Sequence, residues 1–212
     1  MPEYYNGIMK LIKEIADFLF PKTSAEAALE NLSAHSLRER YAPSDILAGY
    51  ALFSYRDPLI RSLIWQMKRG DRHAMSLFVP FLEEVIQSIA EDARLLYGRP
   101  VLVVPIPLHP KRERERGGNQ VSILLDMLPR SSLWRLREIL RRTRYTRPQR
   151  GLPRFLRMHN VKGSMEAGRV DADTLYILVD DVVTTGSTLK EGVRALKEKG
   201  AEHIHTIALA GV

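Results

Sequence analysis

An α/β domain with a parallel sheet, helices on both faces and an N-terminal helical segment is the architecture this sequence predicts. Three observations carry that expectation. Val101, Leu102, Val103 and Val104 form an apolar, β-branched run that Pro105 and Pro107 stop, as in a strand buried on both faces. Residues 175–179 form a second such run. A loop, a helix over 187–199 stopped by Gly200, and a closing strand over 204–209 follow it, which is the strand–helix–strand order of a parallel sheet.

The other elements follow in chain order. Ile8, Leu11, Ile12, Ile15, Phe18 and Leu19 keep helical spacing, so residues 7–19 read as a helix ended by Pro21. Residues 24–40 read as a second helix, with Ser24 placed to cap it. The apolar stretch 47–55 suits a strand or a hairpin. Leu59, Leu63, Ile64 and Met67 mark a short amphipathic helix, and residues 73–97 a longer one that Pro80 kinks or breaks. Residues 119–128 form a further helix. Residues 130–162 show no period and carry Pro148, Gly151 and Pro153, so they are expected to make a long excursion or a β-hairpin. In the helix over 187–199, Leu189, Val193 and Leu196 share one face. The expected division is a helical segment over 1–45 and an α/β domain over 46–212.

Composition narrows the function classes. The chain of 212 residues has no cysteine, which excludes disulfides, thiolate metal sites and cysteine nucleophiles. No run approaches the ~18 apolar residues of a membrane span, so no integral membrane insertion is expected. Lys10, Lys13, Glu14 and Asp17 interrupt the N-terminus too often for a signal peptide, and a cytoplasmic location is the default. The net charge of +7 favours polyanionic partners, either nucleic acid or a phosphorylated metabolite. Between Arg130 and Arg157 stand ten arginines and one acid, Glu138.

The chemistry concentrates at DDVVTTGST, residues 180–188. Ligands of open α/β sheets bind beyond the carboxyl ends of the strands. There Thr184, Thr185, Gly186, Ser187 and Thr188 offer hydroxyls and backbone N–H groups where a helix begins, which suits a phosphate monoester. Asp180 and Asp181 would repel that phosphate but accept hydrogen bonds from adjacent sugar hydroxyls. Acids followed by a phosphate loop describe a sugar phosphate. The nucleoside-triphosphate pattern GxxxxGK[ST] and the dinucleotide pattern GxGxxG are both absent.

VDDVVTTGST resembles the signature of type I phosphoribosyltransferases. The resemblance implies that Asp180 and Asp181 hold the ribose hydroxyls of phosphoribosyl pyrophosphate (PRPP). It also implies that Thr184, Thr185, Gly186, Ser187 and Thr188 hold its 5′-phosphate, with Mg²⁺ accompanying the ligand. The segment VPIPLHPKRERERGGNQ, residues 104–120, narrows the resemblance to the ComF competence family, as do residues 146–164 and 53–71. On that reading Leu108, His109, Lys111 and Arg112 flank the pyrophosphate, and Arg150, Arg154 and Arg157 close over it. Asp180 and Asp181 are the catalytic candidates and the possible Mg²⁺ contacts. The partners implied are PRPP or another ribose-5-phosphate compound, single-stranded DNA, and proteins of competence and DNA uptake.

Three departures from the family pattern qualify this. Ser24 and Ala27 stand where a cysteine zinc module is usual, so no zinc is expected. Gly118 replaces a usual aromatic, and Met165 a usual phenylalanine. His109 is read either as loop structure or substrate contact, or as an acid–base group. The arginine-rich stretch has three. It closes over pyrophosphate, tracks single-stranded nucleic acid with Tyr145 or Phe155 stacking on bases, or serves solubility alone. His203 and His205 alternate on a strand and are expected on a solvated face. The acceptor, and whether turnover occurs, are not readable from these residues.

Overall fold

A computed structural model describes residues 32–144 and 163–212. The chain divides into one compact unit over residues 1–33 and another over residues 34–212. The helices expected over 7–19 and over the first part of 24–40 lie outside the described residues. Within the second unit, helix α1 is Ala34–Arg38 and the hairpin β1 (Tyr41–Ile46) and β2 (Gly49–Ser54) follows.

Two helices come next. In α2 (Pro58–Lys68), Asp57 caps the amides of Leu59 and Ile60, and Pro58 begins the helix where no N–H is needed. Asp71 caps α3 (Arg72–Tyr97) in the same way, and Gly98 ends it in the left-handed conformation. The helix runs through Pro80 unbroken, because Pro80 lies on the exposed side and neighbouring turns are held by buried Leu77, Phe78, Phe81 and Leu82. The break that Pro80 suggested is therefore absent.

Strand β3 (Val101–Pro105) then leads to two short helices, α4 (Pro110–Arg116) and α5 (Gln120–Asp126). Strand β4 (Trp134–Leu136) adds to the sheet edge beside β3. Strand β5 (Leu140–Arg142) pairs antiparallel with β6 (Met165–Ala167), so the two ends of the excursion are tied as a ribbon. Residues 145–162 between them lie outside the described residues. Strand β7 (Leu175–Val183), helix α6 (Ser187–Glu198) and strand β8 (His203–Gly211) complete the fold.

The main sheet has six strands in the order β1-β2-β8-β7-β3-β4, and every pairing except β1 with β2 is parallel. Alternation along the strands fills both faces. Val104, Tyr176, Leu178 and Ala208 join a core with Leu189, Ala195 and Leu196 of α6 and with Leu140, Met165 and Ala167 of the ribbon. The intervening Val103, Ile177, Val179, Ile207 and Leu209 are buried as well. Such a sheet needs cover on both sides, which is the predicted class.

Gly49 is a local requirement of this arrangement, since a Cβ there would run into the Thr206 backbone of β8. The histidines of β8 depart from expectation. Both are half-buried rather than solvated, and His205 stacks on Tyr50 with ring centroids 5.5 Å apart. Burial lowers the His205 pKa by disfavouring the charged ring.

Candidate functional site

The adjacent parallel strands β3 and β7 run in register from Val101 beside Leu175 to Pro105 beside Val179, so their carboxyl ends open on one edge. Strand β7 continues further than the apolar run indicated. Asp180 pairs with Ala208, Val182 with Ala210 and Val183 with Gly211, so the acids sit within the strand rather than in a loop. The turn Thr184–Gly186 follows. Gly186 takes φ 70°, a left-handed conformation that directs the chain into α6.

No side chain of Gly186 can cap α6, and the first turn is oriented by Thr185 and Ser187. Their hydroxyls are 2.6 Å apart, and the Ser187 amide lies 3.4 Å from Thr185 Oγ1. Thr184 is exposed, Thr185 and Thr188 are half-buried, and Ser187 is buried. The helix spans twelve residues, long enough for its amino end to attract an anion. A cavity of about 380 Å³ opens beside Thr184, Thr185 and Gly186, walled by Ser44 and Asp45 of β1 and by Lys190. Of the five residues assigned to the phosphate, Thr184, Thr185 and Gly186 line this cavity, and Ser187 and Thr188 form the start of α6.

The acids are held by partners that sequence reasoning missed. Lys68, the last residue of α2, places Nζ 2.9 Å from Asp181 Oδ2, with both side chains mostly buried. The Asp180 carboxylate accepts the Asp181 amide at 2.9 Å. Burial and the neighbouring Asp181 charge push the Asp180 pKa up to about 7, against the opposing effects of that amide, Lys68 and Arg142. Arg142, at the end of β5, donates from Nε to the Pro107 carbonyl at 3.2 Å. Burial lowers its pKa, Asp180 opposes that shift, and Arg112 adds to it. These couplings set Arg112, Arg142 and Asp180 within electrostatic reach of one another.

The segment expected to flank pyrophosphate leaves β3 at the same edge. Ile106 donates its amide to Val179 at 2.8 Å, and Asn119 holds the Ile106 carbonyl at 2.9 Å while capping α5. Leu108 and His109 lead into α4, where Lys111 and Arg112 occupy the first turn. His109 Nδ1 accepts the Lys111 amide at 3.2 Å, which gives the ring a capping role in the turn. Residues Pro110–Arg116 thus form a short helix. Its residues PKRERER lack an apolar face, so no periodicity announced it. Arg150, Arg154, Arg157, Tyr145 and Phe155 lie outside the described residues.

The ribbon that bears Arg142 is fixed from below by Glu191 of α6. Glu191 is 4% exposed; its carboxylate accepts the Met165 amide at 3.1 Å and two guanidinium bonds from Arg194 at 2.8 and 3.0 Å. Arg194 also donates to the Met165 carbonyl at 2.8 Å. A Glu and an Arg three residues apart were the only trace of this clamp in the sequence. Gly118 has φ 138°, a conformation that strains a residue with a side chain, and a Cβ there would press on the end of the Ile123 side chain. Met165 is buried in the core beneath the ribbon.

Among the described residues no helix is long and apolar enough to cross a membrane. No group of three or more His, Asp or Glu residues there could cage a metal ion alone. A larger cavity of about 870 Å³ lies at the opposite end of the sheet beside Leu175 and His203. The cradle edge, not that cavity, combines hydroxyls, a helix amino end and paired acids.

Comparison with known proteins agrees with this arrangement. A family model described as "Phosphoribosyl transferase domain" matches residues 157–212. "DNA utilization protein YhgH" of Salmonella typhimurium is 31% identical over 195 residues, 90% of this chain and 83% of that protein. "Competence protein F" of Haemophilus influenzae is 36% identical over 115 residues, covering 52% of this chain, and "Competence protein ComFC" of Bacillus subtilis is 29% identical over 153 residues, covering 71%. The matched stretches span 50% and 58% of those two relatives. With this identity over most of its length, and with the fold and the VDDVVTTGST edge described above, the chain belongs to the ComF family of proteins with a phosphoribosyltransferase fold.

Proposed function

We propose that the cradle binds a ribose 5-phosphate group, with PRPP and Mg²⁺ as the natural form, and that the protein acts in DNA uptake. One observation carries the reading. Asp180 and Asp181 lie among the last residues of a largely buried strand that runs to Val183, and a hydroxyl-rich turn that starts a twelve-residue helix follows it. The acids suit ribose hydroxyls, and the turn suits the phosphate ester. The DNA-uptake role rests on the names of the relatives, which concern competence and DNA utilisation.

The donor set fits Mg²⁺ in a particular way. Two adjacent carboxylates without a third acid suit an ion that completes its octahedron with ligand phosphates and water. Asp180 and Asp181 would hold it, and its chemistry there is to neutralise charge on a departing pyrophosphate. The chain's own contribution is positioning. Lys111 and Arg112 would approach the pyrophosphate from α4, and Arg142 would approach from the ribbon. A binding or sensing role without turnover, including one on single-stranded DNA, is the second reading. The names of the relatives, which concern competence and DNA utilisation, favour it.

Isothermal calorimetry with PRPP and Mg²⁺ tests the first reading. Saturable binding that disappears in Asp180→Asn/Asp181→Asn is expected. Absence of binding, or binding indifferent to that double substitution, refutes it. Pyrophosphate release across candidate acceptors then separates turnover from sensing.

A further inference from the structure

Lys68 holds a place that the sugar-phosphate reading gives to something else. On that reading Asp180 and Asp181 accept from ribose hydroxyls and hold a divalent cation. Yet Lys68 Nζ already lies 2.9 Å from Asp181 Oδ2. Its charge is felt at Asp180 too, where it opposes the upward shift of that carboxyl. The acid pair therefore carries a cation of the chain's own.

The helix end behind Lys68 is fixed, whereas its side chain is long and adaptable. Buried Ile60, Leu63, Ile64 and Met67 anchor α2. The amides of Arg69 and Gly70 close its last turn on the Gln66 and Met67 carbonyls, each at 2.9 Å. Beyond that anchor, a flexible four-carbon stem carries a compact ammonium. The carboxyl end of a helix already favours a lysine, so the charge of Lys68 does not require Asp181. Among the ion pairs of the described residues, Lys68 meets Asp181 alone. A single contact of this kind can be exchanged for another anion.

Exchange is what a metal ion would demand. Mg²⁺ takes carboxylate oxygens at about 2.0–2.1 Å. An ammonium on the same carboxylate repels it, and with both side chains mostly buried, water screens that repulsion poorly. A sugar phosphate changes the balance, because its phosphate oxygens offer Lys68 a second anion.

We propose that Lys68 is a resident counterion that keeps divalent metal off Asp181 until a sugar phosphate arrives, so that metal and ligand enter together. The proposal rests on the reading of Asp180 and Asp181 given above and adds an order of binding to that site.

Mn²⁺ alone, followed by electron paramagnetic resonance on the full chain, tests it. Wild type should bind Mn²⁺ weakly. Lys68→Gln keeps a donor for Asp181 and removes the charge, so it should tighten Mn²⁺ binding roughly tenfold or more. Lys68→Arg restores the charge and should bind as weakly as wild type. Adding Asp181→Asn to Lys68→Gln should abolish the gain. Saturating ribose 5-phosphate should raise the wild-type affinity toward that of Lys68→Gln. The proposal is overturned by equal Mn²⁺ affinity in wild type and Lys68→Gln, which is what a merely structural ion pair predicts. It is also overturned by a gain that Lys68→Arg shares or that survives Asp181→Asn, or by ribose 5-phosphate that binds without raising the wild-type affinity. PRPP calorimetry on the wild type is read separately. PRPP binding with unchanged Mn²⁺ affinity in Lys68→Gln keeps the cradle and rejects the counterion. A gained Mn²⁺ site without PRPP binding keeps the exclusion of metal by Lys68 and rejects PRPP as what relieves it.

Discussion

Replacing Asp180 with asparagine should stabilise the ligand-free protein at alkaline pH, an unusual outcome for a residue in a binding site. The Asp180 pKa is raised from 3.8 to about 7 in the fold, by burial first and by Asp181 second. Its folded form therefore holds a proton that the unfolded chain has released. The stability linked to that proton is complete below the unfolded value and is lost as pH rises through the folded value. The full shift corresponds to a ceiling of about 4 kcal/mol. Asp180 is only half-buried, and water shares in solvating it, so about 1–2 kcal/mol is the realistic gain for the variant. Asparagine keeps an oxygen for the Asp181 amide and removes the charge. Thermal denaturation with a chelator present should show Tm of Asp180→Asn above wild type by roughly 2–8 °C near pH 8. The two proteins should converge near pH 4. A variant less stable than wild type near pH 8, or a difference that does not shrink in acid, refutes the argument.

Other perturbations have equally direct readouts. Lys68→Met strips Asp181 of its cation and should cost about 1–2 kcal/mol near neutral pH, with much of the loss recovered when Asp181→Asn is added in a double-mutant cycle. Glu191→Ala should cost about 2–4 kcal/mol in urea unfolding by leaving Met165 and Arg194 without their acceptor. Burial raises the Glu191 pKa, but the bonds from Arg194, Met165 and Gly163 outweigh it and hold the carboxyl below its ordinary range. Its stabilisation is therefore present above the ordinary value and lost as pH falls through the folded one, so the cost of Glu191→Ala should shrink in acid. Gly49→Ala drives a Cβ into the Thr206 backbone and should cost about 3 kcal/mol or more, visible as a loss of soluble protein or of sheet signal in circular dichroism.

What the sequence made legible was local. The runs at 101–104 and 175–179 read as buried strands because both faces of β3 and β7 are covered, and nothing polar interrupts them. The turn 184–188 read as a phosphate loop because its hydroxyls and glycine are contiguous. Strand β1 was missed for the opposite reason. Its sequence YAPSDI has a proline and an exposed centre, features that an edge strand tolerates. The short strands β4 and β5 hid among arginines, since three residues are too few to show alternation. Lys68 and Arg142 left no signal at all, because each meets the acids only after the sheet has brought remote segments together.

Those two cations change what the acid pair means. Adjacent carboxylates at the end of a buried strand repel each other, and a fold selected for stability alone would be better served by neutral residues. They would also repel any phosphate a few residues further on. Lys68 answers one acid directly, and Arg142 opposes the charge of the other, so two positive groups meet two negative ones beside the turn. On the proposed reading, an arriving phosphate would meet the amino end of α6 and the hydroxyls of Thr185 and Ser187 against a background closer to neutral. The acids remain free to accept from hydroxyl groups, which ask for an oxygen lone pair rather than a net charge. Compensation from outside the motif would thus let one short segment be acidic toward the proposed sugar and attractive toward the proposed phosphate. Because α2 supplies Lys68, any movement of that helix would alter this balance.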